Sequence, residues 1–374
     1  MDPREVVNPP FVAGPLHLRP FRGLMLASRR IGDPASARAF ARPYSEVGNR
    51  LETWVRNGHA TRDAEPAVYL HEYSADGIVV RGLVGALDVS RRTDDQQARA
   101  VYPHEGIHPE QAEELAGRMS RMQVNPAPIL LVHHGSDELR ALVAQIMTAE
   151  PDHAFSDRSG QEHRLWAIRD AVTLAALDDA LAGSRALVAD GHHRYAAYLA
   201  MQREAPGTAA DLGLAMLVDQ DDTPLFLGAI HRFFVGLTLD HVRQAAATLG
   251  ATYRELDQEP AVAALGPTTA VVTDGSSWAS LDLHVPATRA LVEVLHEDLL
   301  SAMPRRPSRT AHHHSMESAL EHAGRTAGLA FLMPAPDFDL VLQIVASGRL
   351  LPEKATSFQP KPSLGVLIRS LPDG

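Results

Sequence analysis

The sequence has no cysteine, and of its 35 basic residues only Lys354 and Lys361 are lysine; the other 33 are arginine. Without cysteine there are no disulfides, thiolate nucleophiles, iron–sulfur clusters or cysteine-type zinc sites. Any chemistry falls to oxygen, imidazole, amine or guanidinium groups. Positive charge is also in deficit, because 46 acidic residues leave a net charge of −11. That balance argues against coating a nucleic acid, which needs a basic surface to displace counterions from phosphates. It leaves room for one local basic pocket that takes a small polyanion. Long apolar runs are missing too. The start, MDPREVVNPPFVAGPLHLRPF, has no apolar core of signal-peptide length, and no stretch approaches 18 uninterrupted apolar residues. A cytoplasmic protein with no membrane partner is expected.

What is present is an ordinary globular composition, 45% hydrophobic and 22% charged over 374 residues, enough for two or three substructures. The first fifty residues are rich in Arg, Pro and Ala with weak periodicity, and little regular structure is expected before the 44–55 segment. PAVYLHEY (66–73) and IVVRGLVGALDV (78–89) read as a β-hairpin, with Asp76-Gly77 supplying the positive φ of a tight turn. PEQAEELAGRMSRM (109–122) has the proline start and early carboxylates of a helix. Strands and helices then alternate: strand 127–134, helix 136–147, strand 163–168, helix 171–183, strand 184–189, a helical segment to 204, and strands 212–218 and 225–234. A second half follows with helices, strands and the Pro/Arg-rich linker MPRRPSRT (303–310). The fold class expected is mixed, α+β. An N-terminal α/β region, 1–235, and a C-terminal α/β region, 236–374, are expected, with the final loop 351–362 returning to the site.

The sharpest local feature is ADGHHRYAAYLA (189–200), an apolar strand that runs through Asp190-Gly191 straight into a helix. A helix N-terminus offers unsatisfied N–H groups and partial positive charge, and Gly191 lets a ligand approach the backbone. Arg194 can grip a phosphate with its planar fork, and His192 or His193 can donate to a phosphoryl oxygen or hold a metal. Asp190 can orient a histidine or ligate Mg²⁺; the plainer alternative is that it only caps the helix. The second feature is LPEKATSFQPKPSLGVLIRS (351–370), which carries both lysines. In a chain that otherwise uses arginine, two compact ammonium groups in one proline-stiffened loop suit phosphate oxygens. The third is YPHEGIHPE (102–110), where His104-Glu105 on a loop supplies a candidate general base or metal ligand. The run His312-His313-His314 invites a metal reading, but neighbours on an extended segment point to opposite sides and seldom share one ion. His314 is the residue to watch there. His133-His134 at a strand end call for the same caution, and Asp219-Gln220-Asp221-Asp222 reads as an acidic turn before it reads as a cation site.

Taken in order, PFRGL (20–24), YPHEG (102–106), HRLW (163–166), ADGHHRYAAYLA (189–200), LAMLVD (214–219), HRFF (231–234), AFLMPAP (330–336) and LPEKATSFQPKPSLGVLI (351–368) resemble the domain-of-unknown-function 1015 family of bacterial proteins. Three regions depart from that family's pattern. ASRRIGDPASARAFARPY stands where an APPYDV-like motif usually follows PFR, GIHPEQAEEL follows the PHE triplet in place of a threonine and a downstream lysine, and EKATSFQPK lacks the usual tyrosines. These changes bear on the substrate rather than on the phosphate site. The Asp-Gly-His-x-Arg turn also looks like the phosphate motif of the ParB/sulfiredoxin-like superfamily, which includes nucleotide-dependent free-serine kinases, CTP-hydrolysing partition proteins and sulfiredoxins.

These resemblances imply a ParB/sulfiredoxin-like nucleotide-binding core and an ATP- or ADP-dependent phosphotransferase acting on a small hydroxylated metabolite, free serine or a serine-like alcohol first. The expected parts are Glu105, Asp190, His192 and His193 for catalysis, and Gly191, His193, Arg194, Lys354 and Lys361 for the phosphates. His104 and Thr356 are expected at the substrate, and Asp190 at a Mg²⁺. The expected partners are a nucleotide and a small molecule, with a homodimer allowed. Two alternatives stay open: a module that binds ATP or CTP without turnover, and a hydrolase or isomerase built on His104, Glu105, His192, His193 and one metal ion.

Overall fold

A computed structural model describes residues 6–75 and 77–373. The chain divides into two units, Met1–Leu225 with Pro360–Gly374, and Phe226–Gln359. The sequence reading drew its single line at 235/236; the contacts draw lines at 225/226 and 359/360.

The first unit is built on an eleven-stranded mixed sheet. Its centre is a set of apolar runs with no alternation, such as Ile129–His133, buried at every position, and Ala186–Asp190, buried at its first four. Strands with that pattern are covered on both faces. The path across the sheet is His153–Ser156, Glu162–Ile168, Val68–Ala75, Ile78–Asp88, Leu212–Asp219, Ile129–His133, Ala186–Asp190, Arg99–Tyr102, Phe11–Ala13 and Arg92–Thr93, with Leu18–Arg19 added beside Ile78–Asp88. Two neighbours on that path are parallel, Ile129–His133 with Leu212–Asp219 and Ala186–Asp190 with Arg99–Tyr102. Val68–Ala75 and Ile78–Asp88 form the expected hairpin. Asp76 lies outside the described residues, and Gly77 has the positive φ, 79°, that the turn asks for.

Helix Pro109–Met122 begins on its proline, carries Glu110 in its first turn and buries Ala112, Ala116, Met119 and Met122 along one face. The expected helices at 136–147 and 171–183 are Asp137–Ile146 and Ala171–Leu181, each with a side-chain N-cap, from Ser136 and Asp170.

The N-terminal fifty residues correct the sequence reading. Strands Phe11–Ala13, Leu18–Arg19 and Gly23–Leu26 precede residue 44. Each is two to four residues long and is held by distant partners: Phe11 opposite Thr93, Leu18 opposite Leu87, and Leu24 opposite both Arg62 and Ile368. Short strands of this kind have no periodicity of their own to read.

The second unit holds a six-stranded antiparallel sheet in the order Thr252–Leu256, Trp278–Asp282, Thr269–Thr273, Gly328–Leu332, His231–Val235, Arg309–His313. Phe233, Val271, Trp278, Ala319, Ala330 and Leu332 form its core. The single strand expected at 225–234 is two, Phe226–Gly228 and His231–Val235, in different sheets. The supposed linker 303–310 ends inside strand Arg309–His313, which pairs with His231–Val235. Among the described residues no helix is long and apolar enough to cross a membrane.

Candidate functional site

Strand Ala186–Asp190 organises the site through its two partners. It runs parallel to Arg99–Tyr102 with Ala186 opposite Val101 and Leu187 opposite Tyr102. Because a parallel register keeps both chains in step, the residues after Tyr102 travel beside those after Leu187. The Pro-His-Glu-Gly loop is thereby delivered to the Asp-Gly-His-His-Arg turn.

The turn itself depends on Gly191. Its φ is 94°, a left-handed value open to glycine, and it is the N-cap residue of helix His192–Glu204. A Cβ there would sit 3.0 Å from an Arg194 guanidinium nitrogen and 3.0 Å from Ile129 Cγ2. Asp190 is therefore not the cap. Its Oδ2 accepts from Arg194 at 2.7 Å and its Oδ1 accepts from Lys361 Nζ. Arg194 also donates to the carbonyls of Pro128, 2.5 Å away, and Ala127, 3.3 Å away. The guanidinium that the sequence suggested for phosphate thus braces the turn, while Lys361 is half-exposed at its rim. The helix behind the turn is anchored on several sides, with Tyr195, Ala197, Tyr198, Leu199 and Met201 buried.

Both histidines of the first turn face the 103–108 loop. His192 Nε2 accepts the His104 backbone N–H at 3.4 Å, and His193 Nε2 accepts the His108 N–H at 3.3 Å. Each ring therefore keeps Nε2 unprotonated and carries its hydrogen on Nδ1 when neutral. The His104 and His192 rings meet edge to face, with centroids 4.4 Å apart. Burial pushes the His104 imidazole down to about 4, against a hydrogen bond with the Val188 backbone that raises it. Glu105 is 9% exposed, with Oε1 3.8 Å from His104 Nε2.

Three residues that the sequence reading passed over hold Lys361 in place. Gln161 donates through Nε2 to the Lys361 carbonyl and accepts the Ser363 N–H through Oε1, both at 3.0 Å. Tyr73 donates to the Pro360 carbonyl at 2.7 Å. Asp157 folds the turn that presents Gln161, accepting from the Ser159 and Gln161 N–H groups. The Asp-x-Ser-Gly spacing of 157–160 announces a turn, but nothing local tells what that turn grips.

A family model described as a protein of unknown function (DUF1015) matches residues 19–297. The chain belongs to this family. Among solved structures, the DUF1015 protein is similar to a free serine kinase in complex with AMP, at 16% identity and TM-score 0.39, over 77% of this chain and 92% of that one. It is also similar to a conserved hypothetical protein from Pyrococcus furiosus, at 15% identity and TM-score 0.38, over 73% and 94%. A third likeness is to SbnI from Staphylococcus aureus, at 12% identity and TM-score 0.38, over 72% and 83%. Likeness at this level bears no weight on the activity. No curated protein matches the sequence.

The two lysines of this DUF1015 protein fall in different units. Between them lies strand Ser357–Gln359, paired with Phe226–Gly228. In the second unit Lys354 is exposed, has a φ of 57° and offers its carbonyl to Arg232 at 3.0 Å, while Thr356 is buried. The histidine run is spread out: His313 bonds to Ser318 and His322, and His314 to Ser357. In the first unit the 219–222 cluster is an acidic turn held by basic side chains, with Asp219 on Arg140, Asp221 beside the His134 ring and Asp222 on Arg81.

Among the described residues, no three His, Asp or Glu side chains form a group able to hold a metal ion. Asp190, with a cation on each oxygen, would have to give one up to bind Mg²⁺. These residues do not fit a protein-held ion.

Proposed function

We propose that this protein transfers a phosphoryl group from ATP or ADP to the hydroxyl of a small cytoplasmic metabolite, with free serine or a serine-like alcohol as the first acceptor to test. The observation that carries the proposal is the meeting of Lys361 and Arg194 on Asp190 at the start of helix His192–Glu204. Phosphoryl transfer asks little of a protein beyond positioning and charge neutralisation. In this reading the first N–H groups of the helix receive the phosphate oxygens. Lys361 swings from Asp190 to the transferred group, while Arg194 keeps the turn rigid. His193 donates through Nδ1. The acceptor oxygen attacks phosphorus as the bridging P–O bond breaks, the shortened nucleotide leaves, and the acceptor's proton passes to Glu105 with His104 beside it. The reading takes the core as ParB/sulfiredoxin-like on the strength of the Asp190–Arg194 turn, and it rests on the first unit alone.

The test is incubation of the full chain with ATP or ADP and a panel of hydroxy-metabolites, beside the Glu105→Gln variant. A phosphorylated product, lost in Glu105→Gln while nucleotide affinity survives, supports the reading. Nucleotide binding with no product from any acceptor replaces it with a regulatory module, whose sign is a melting point raised by nucleotide alone.

A further inference from the structure

A cavity of about 590 Å³ in the first unit is lined by Arg194 on one side and by the 26–40 segment on another. Its walls are mostly apolar, from Leu26, Pro34, Ala37, Phe40, Pro126 and Leu364. Local backbone chemistry builds it. Asp33 caps the short helix Pro34–Phe40 by accepting the Ala35 N–H at 3.0 Å, and it is held from outside by Arg158. Gly365, at φ 95°, closes down on Leu26, where a Cβ would approach Leu26 Cδ1 to 2.7 Å.

Two polar groups in this apolar setting are unsatisfied. Ser36 is 5% exposed and lines the cavity, and its Oγ has no hydrogen-bond partner among the described residues. Arg30 Nε has none either, although the Arg30 guanidinium lies 4.5 Å from the Trp54 ring centre. A buried hydroxyl left unpaired costs about 1–3 kcal/mol, and such groups persist where something else completes them. The volume falls in the range of small-molecule sites, roughly 300–1,000 Å³, and apolar walls with a few polar groups are their usual lining. Phosphate or serine alone would leave those walls wet. A flat heteroaromatic ring covers them and brings ring nitrogens or an exocyclic amine to Ser36.

Arg194 links this cavity to the phosphate turn, since it lines the one and bonds to Asp190 in the other. The segment that forms the wall is ASRRIGDPASARAFARPY, residues 27–44. We propose that the cavity takes the nucleobase of the donor nucleotide, with the Ser36 hydroxyl on the edge of the ring. The assignment rests on the phosphotransfer reading for the identity of its ligand.

The experiment is calorimetric titration of the full chain with adenosine, which has the ring and no phosphate, and with pyrophosphate, which has the reverse. Adenosine is expected to bind the wild type. Ala37→Trp, which fills the cavity, is expected to weaken adenosine at least tenfold, and Ser36→Ala about threefold, with pyrophosphate unchanged in both. Leu364→Trp places the same bulk on a residue that is 69% exposed, so it keeps the fold if Ala37→Trp does not. Absence of adenosine binding, or adenosine affinity unaltered by Leu364→Trp and Ala37→Trp, overturns the assignment. Adenosine binding without phosphoryl transfer to any acceptor keeps the cavity site and removes the kinase. Turnover by the cavity-filled variants at the wild-type KM for nucleotide does the opposite.

Discussion

Lys361 donates its ammonium to Asp190 Oδ1 across a sequence separation of 171 residues. Asp190 carries Arg194 on its other oxygen, so one carboxylate holds two cations at the mouth of a helix N-terminus. The arrangement sets a half-exposed ammonium beside a guanidinium that braces the turn. In the proposed reaction, an arriving phosphate competes with Asp190 for Lys361.

Lys361→Met should therefore separate stability from function. The ammonium is half-exposed, and pairs of that kind contribute about 0–1 kcal/mol. Urea midpoints are expected to stay within about 0.5 kcal/mol of wild type, while kcat/KM falls about 100-fold, which is ~2.7 kcal/mol. Lys361→Arg should fall in between, because a planar fork keeps the charge but not the shape. A variant with normal turnover would remove Lys361 from the site.

Gly191→Ala is expected to act on the fold. Alanine at φ 94° is strained, and its methyl group meets Arg194 and Ile129 at 3.0 Å. The cost should be about 1–3 kcal/mol, read as a lower urea midpoint. An unchanged midpoint would mean that the turn is not held in the left-handed region.

Acid should weaken the protein well before its carboxylates titrate. Burial holds His104 and His133 to about 4, where an unfolded chain has about 6.5. Between those values the unfolded state binds more protons, so stability is complete above 6.5, drains as pH falls through the window and levels off below 4. Each group contributes on the order of 3 kcal/mol over the window. Unfolding free energy measured from pH 7 to 4 should fall, and His133→Gln should flatten the slope by about one proton's worth. A flat profile would contradict the burial of both rings.

Arg369 is fully buried near the C-terminus, and burial lowers its guanidinium to about 10. It donates to Asn125 Oδ1 at 3.0 Å, to the Leu212 carbonyl at 2.8 Å and to the Ala209 carbonyl at 2.9 Å. Arg369→Leu withdraws all three bonds, one from buried Asn125 and two from partly buried carbonyls, and should cost about 3 kcal/mol. A melting temperature within a degree of wild type would show that these acceptors do not depend on it.

The sequence by itself determined whatever is written in consecutive residues. Pro109 and the carboxylates after it specified helix Pro109–Met122, and the apolar run into Asp190-Gly191 specified a strand that turns into a helix. In both cases the physics is local: a fixed φ, a permitted positive φ, a side chain with nowhere to go but inward. Tertiary structure alone decided which distant groups meet. The parallel register of Leu187 with Tyr102 delivers His104 and Glu105 to the turn. Strand Ser357–Gln359 comes between two lysines that looked like a pair and assigns them to different units. Gln161 grips the Lys361 backbone from 200 residues away. Contacts of that kind depend on strand order and loop closure, and neither has any signature in the residues that make them.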